Sequence, residues 1–165
     1  MKNVIFYTSI VLNIVLIIIV FFVYSRLDSN KEIASNEIQH QLIEVESVIG
    51  EQMQLSWRNP ELVTRQLDKS LKIMRRSFEL IEKSSIAVNK SDIEVIDSVL
   101  GKLELYKKAE SQVEPQEIDR FEMLSATLRK EGVGQGIPIT VNNYDAFIRK
   151  MKALDYKIEN PLDKK

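Results

Sequence analysis

The chain has no cysteine. Disulfides, thiolate-bound metals and cysteine nucleophiles are therefore all excluded. Histidine is nearly absent: His40 stands alone. Metal sites that take two or more histidines from one chain are thus ruled out, including the facial triad and the paired Glu-x-x-His ligands of di-metal helical proteins. Neither sign of charge is in excess. Lys and Arg number 23, Asp and Glu 24, for a formal net charge of −1. That balance offers neither the basic excess of a nucleic-acid binder nor the acidic excess of a disordered tail, and no nucleic-acid partner is expected. There is no G-x-S-x-G, no S-x-x-K with its partner motifs, and no H-E-x-x-H. We expect a protein that is not an enzyme and that holds no cofactor or metal.

What the chain has instead is one long apolar run. Residues Asn3 to Ser25 carry no charge, and Val4 to Tyr24 is overwhelmingly apolar. As a helix this run spans ~31 Å, close to the ~30 Å hydrocarbon core of a bilayer. A cleaved secretory signal has a shorter apolar region ending in small residues. This one ends Phe22-Val23-Tyr24-Ser25-Arg26, which suits an interfacial anchor. An uncleaved signal-anchor over 4–25 follows, with 1–3 as a short tail in the cytoplasm and the remaining domain outside. Positive charge near the two ends is almost tied, so orientation rests on the shortness of the tail. Asn13 and Ser9 lie four residues apart on one face of this helix. Asn13 reads either as a contact with another transmembrane helix or as an internally satisfied amide, bonded to Ser9 or to a backbone carbonyl.

Beyond Leu27 the apolar residues recur at helical spacing. Ile38, Leu42, Val45, Ile49, Met53 and Trp57 define one stripe, extended backwards by Ala34 and Leu27, so the first helix is expected to run on out of the membrane over 26–58. Asn59-Pro60 reads as an N-cap and first helical residue. Val63, Leu67, Leu71, Met74, Phe78 and Ile81 form the stripe of a second helix. Ser91 to Glu94 fits a capping box for a third, with Ile93, Ile96, Val99, Leu100, Leu103 and Tyr106. Pro115 opens a fourth, with Ile118, Phe121, Leu124 and Leu128, and Gly132 closes it at C′. Residues 59–131 thus hold the remaining bundle helices. A Gly-rich loop and an extended strap occupy 132–142, and 143–165 is a C-terminal helix and tail, with Phe147, Met151, Leu154 and Ile158 aligned. The predicted fold is all-α: a single transmembrane helix followed by a small antiparallel helical bundle with at most one short extended segment.

Two features bear on function. Arg58, Arg65, Lys69, Lys72 and Arg76 fall within ~60° of one another at 100° per residue, opposite the apolar stripe of the second helix. The span 58–76 holds six basic and two acidic residues, whereas 31–57 holds one lysine and five glutamates. This basic stripe reads as a solvated face with Glu61–Arg65 and Asp68–Lys72 pairs, as charge matching between adjacent helices, or as a surface for an anionic partner. The Gly132–Gly136 segment lacks the strand, lysine and following helix of a phosphate loop. It is expected to be a flexible hinge, with Gly134→Ala having little effect on partner binding. Trp57 reads as a core plug and His40 as a surface residue. Taken together, the residues predict a non-catalytic, membrane-anchored interaction or accessory protein of the cell envelope. It would hold the lipid bilayer through 4–25 and bind a protein partner or a second copy. An extracytoplasmic ligand-binding or sensory module that signals through a partner is the alternative.

Overall fold

The structure, a computed structural model, describes residues 2–84, 88–107, 114–134 and 143–158, with side chains from Ser9 onward. Among these residues there are five helices and no strand: α1 (Lys2–Gln54), α2 (Glu61–Lys83), α3 (Lys90–Leu105), α4 (Pro115–Lys130) and α5 (Tyr144–Lys157). The predicted strap over 137–141 lies outside the described residues.

Helix α1 runs unbroken for 53 residues, about 80 Å at 1.5 Å per residue. Its continuity follows from composition, because no glycine or proline occurs before Gly50. Its two halves differ. From Ser9 to Arg26 every side chain is exposed, and the helix is long and apolar enough there to cross a membrane. From Ala34 onward one stripe is buried: Ala34, Ile38, Leu42, Val45 and Ile49. The expected extension through Met53 and Trp57 does not hold. Met53 is 39% exposed, and the helix stops at Gln54. Ser56 and Trp57 then take left-handed backbone angles, φ 51° and 56°. Such angles cost a non-glycine residue ~1 kcal/mol or more. The turn is held by the Trp57 N–H donating to the Gln52 carbonyl at 2.7 Å and by the Asn59 N–H donating to Gln52 Oε1 at 3.0 Å.

Helix starts differ in detail from the sequence reading. Asn59 does not cap α2 with its side chain. Its carbonyl accepts from the Leu62 N–H, and Pro60, already helical at φ −62°, occupies the cap position. At α3 the cap is Asn89 rather than Ser91. The Asn89 side chain accepts from the Ser91 N–H at 3.1 Å, and the helix starts at Lys90. Both asparagine and serine suit that position; the extended backbone of Asn89 decides it. At the end of α4, Gly132 at φ 75° is C′. Gly132 N–H bonds to Arg129 O and Val133 N–H to Leu128 O, the Schellman pattern, with Val133 and Leu128 both buried.

Side-chain pairs fix the directions of the helices. Gln41 accepts from Ser70 at 2.9 Å and Gln52 from Asn59, so α2 returns along α1. Arg75 reaches Asp97 at 2.5 Å and Glu104 at 2.7 Å, and Lys107 pairs with Asp68, so α3 reverses again against α2. Trp57 Nε1 donates to Glu122 at 2.8 Å and Arg129 pairs with Glu46, which lays α4 back along the far half of α1. Helix α5 covers the near half and leans on α3. Lys31 sits 5.1 Å over the Tyr144 ring, Lys152 pairs with Asp92 at 3.1 Å, and Ser98 donates to Asp155 at 2.6 Å. Residues from all five helices, the distal part of α1 included, close one apolar core.

Candidate functional site

The buried face of α2 comprises Val63, Leu67, Ser70, Leu71, Met74, Ser77, Phe78 and Ile81. Opposite it, Arg65, Lys69, Lys72 and Arg76 are all exposed, so the structure brings four of the five predicted residues onto one open helix face; Arg58 is exposed as well, but it stands in the turn ahead of α2. Lys72 pairs with Asp68 at 2.6 Å. The expected Glu61–Arg65 pair is absent among the described residues, and there Arg58, Arg65, Lys69 and Arg76 form no ion pair. Charge matching between α1 and α2 is not what balances this face. Among the described residues the α1 glutamates make no ion pair with α2, and Glu46 turns instead to Arg129 of α4. The cation of the run that is neutralised across helices is Arg75, held by Asp97 and Glu104 of α3. The Glu104 hydrogen bond, helped by Asp97 and opposed by partial burial, raises its pKa above the usual arginine value.

A groove of about 520 Å³ runs between α2 and α3, lined by charged side chains that include Arg75, Arg76, Glu79, Glu104 and Lys107, with Leu71 at its floor. Asp68 on its edge is shared by Lys107 and Lys72, which hold its carboxyl below the usual carboxylate range, Lys107 contributing most. The charges lining this groove are thus largely paired with one another. Among the described residues no group of three or more His, Asp or Glu side chains could hold a metal ion.

The second predicted site is on the exposed half of α1. Ser9 and Asn13 are both exposed, and no hydrogen bond joins the two side chains among the described residues. His40 is on the surface, 3.8 Å from Glu44. Trp57 packs against the core, stacked on Phe121 with ring centroids 6.3 Å apart.

One cluster was not legible in the sequence. Glu46 is 3% exposed and accepts from Ser125 Oγ at 3.2 Å and from Arg129 Nε. Gly134, at φ +84°, backs directly onto it: a Cβ there would stand 1.8 Å from Glu46 Oε2. Gly134 is therefore a position where a Cβ does not fit without displacing the Glu46 carboxylate. Comparison with protein-family models, with curated proteins and with solved structures gives no significant match to this chain.

Proposed function

We propose that the protein is a non-catalytic, membrane-anchored interaction or accessory protein of the cell envelope. A single signal-anchor helix over 4–25 holds a small antiparallel bundle outside the membrane. The bundle offers the basic face of α2 to another envelope protein or to a second copy. The observation that carries this reading is the clustering of unpaired cations on that one face; Arg120, Lys130, Arg149 and Lys150 also lack an ion-pair partner among the described residues, but they are divided between α4 and α5. Arg75, Lys102, Lys107, Arg129, Lys152 and Lys157 are each paired with an acidic side chain. Arg58, Arg65, Lys69 and Arg76 have no such partner among the described residues. Four cations on one helix face, with Arg58 in the turn ahead of it, attract an anionic surface within about a Debye length, ~8 Å at physiological salt.

Height above the membrane supports a protein partner. Gln54 lies ~40 Å along α1 from Leu27 at 1.5 Å per residue, so the start of α2 is well beyond the reach of the anchor's own headgroups. In the exposed half of α1, Asn13 offers its amide to a neighbouring transmembrane helix, a contact of the kind worth ~0.6 kcal/mol. A second reading, an extracytoplasmic ligand-binding or sensory module acting through a partner, is favoured only by the charged α2–α3 groove.

The test is affinity recovery of the full chain from detergent-solubilised native membranes. Wild-type protein is expected to bring down a stoichiometric partner, and Arg65→Glu/Lys69→Glu/Lys72→Glu to lose it with helicity unchanged. Equal recovery by both proteins would reduce the stripe to a solvated face.

A further inference from the structure

The basic face of α2 has a counterpart on the same molecule with which it forms no ion pair among the described residues. On the outer side of α1, Glu37, Glu44 and Glu51 follow one another at intervals of seven residues, two helical turns and ~10.5 Å per step. Glu51 is exposed and Glu37 and Glu44 are half-exposed. Arg65 and Lys72 on α2, and Arg58 in the turn ahead of it, have the same interval in sequence. Within one chain no ion pair joins the two rows among the described residues, and Glu37 accepts instead from Gln41 of its own helix at 2.8 Å.

The register of the hairpin makes the rows comparable in height. Gln41 meets Ser70 and Gln52 meets Asn59, so an α2 residue is level with the α1 residue whose number completes 111. Arg58 is then level with Met53, Arg65 with Glu46 and Lys72 with Gln39. Each cation stands two residues, ~3 Å, above the glutamate of the other row. The offset is the same at all three rungs and well within the reach of these side chains.

Resting on the reading that α1 is a membrane anchor, we propose that the α2 basic face docks onto the outer acidic face of α1 in a second copy of this chain. Two copies anchored in one bilayer share orientation and height. Arg58, Arg65 and Lys72 of one copy then meet Glu51, Glu44 and Glu37 of the next without tilt or sliding. The contact uses different surfaces on the two copies, so it is head-to-tail and builds a row or a closed ring rather than a two-fold dimer. Matched spacing and matched height favour a second copy over an unrelated acidic protein. Confinement to the membrane removes much of the orientational cost that weak, exposed ion pairs could not meet in solution.

Because the chain has no native cysteine, cross-linking tests this directly. Full-length His40→Cys carrying one affinity tag and full-length Lys69→Cys carrying another are co-expressed, and carbonate-washed membranes are treated with a short bis-maleimide. His40 and Lys69 are exposed, on the two faces in question and outside the three rungs. The mixed adduct is expected to exceed both self-adducts. Glu37→Lys/Glu44→Lys/Glu51→Lys in the His40→Cys copy should cut it about tenfold, equivalent to ~1.4 kcal/mol over three exposed pairs. Adding Arg58→Glu/Arg65→Glu/Lys72→Glu to the Lys69→Cys copy should restore it, which no folding defect can mimic. Self-adducts in excess of the mixed one, or no rescue, would overturn the head-to-tail contact while leaving the anchored interaction protein standing. Release of the chain by the carbonate wash would overturn the anchor reading itself, and this proposal with it.

Discussion

Replacing Gly134 by alanine probes the one buried charge contact in the described part of the domain. Two costs combine. A residue with a Cβ at φ +84° bears ~1 kcal/mol of left-handed strain. The new carbon would also stand 1.8 Å from Glu46 Oε2 and 2.6 Å from its carboxyl carbon, so the carboxylate must swing away from Ser125 and Arg129. The Arg129 side chain is 46% exposed, which discounts the ion pair, and the lost hydrogen bonds add ~1–2 kcal/mol. A total of ~2–3 kcal/mol lowers the melting midpoint of a domain this size by about 10 °C. Trp57 is the only tryptophan, so its fluorescence reports the packing of α4 on α1 during thermal unfolding of the full chain in detergent. In a Glu46→Ala background only the backbone strain remains, and Gly134→Ala should then cost ~1 kcal/mol. A single variant melting within ~2 °C of wild type, or an equal cost in both backgrounds, would refute the reasoning.

Two further outcomes follow from α2 and its neighbours. Leu67 is fully buried, so Leu67→Asp should unfold the domain, whereas exposed Arg65→Ala should change stability by less than ~1 kcal/mol; the reverse order in circular dichroism melts would contradict the phasing of α2. Asp68 titrates below its ordinary range because Lys107 and Lys72 bond its carboxylate. Its contribution is therefore present above the usual carboxylate range, ~pH 4, and lost as pH falls through the lowered folded value. Asp68→Asn should flatten that acid limb of the stability curve, and an unchanged limb would count against the pairing.

The all-helical fold was legible because it depends on local periodicity. The stripes of α2 and α5 are buried as their spacing requires, and Gly132 ends α4 where a C′ glycine should. The end of α1 was not legible, since Met53 and Trp57 keep the stripe's period while the chain has already turned left-handed at Ser56. No propensity marks serine and tryptophan for that geometry; it is imposed by the Gln52 contacts and by Trp57 seating on Phe121. The composition of the α2 basic face could be read in advance, but not which of its cations are paired. Arg75 is held by two carboxylates of α3 while its neighbour Arg76 has no ion pair among the described residues, and Arg129 meets Glu46 of α1 whereas Arg65 faces away from the core. Glu46, Ser125, Arg129 and Gly134 lie about eighty residues apart on either side of the cluster, and nothing in local sequence joins them.

Anchorage with the helical domain outside is the claim on which the partner, the binding face and the side-by-side contact all depend. It is tested most directly by fusing a reporter that is active only outside the cytoplasmic membrane after Lys165 of the full chain. The fusion is expected to be active and to remain in the membrane fraction after alkaline washing. An inactive fusion, with a cytoplasm-only reporter at the same position active instead, would contradict the account and turn the α2 face toward partners inside the cell.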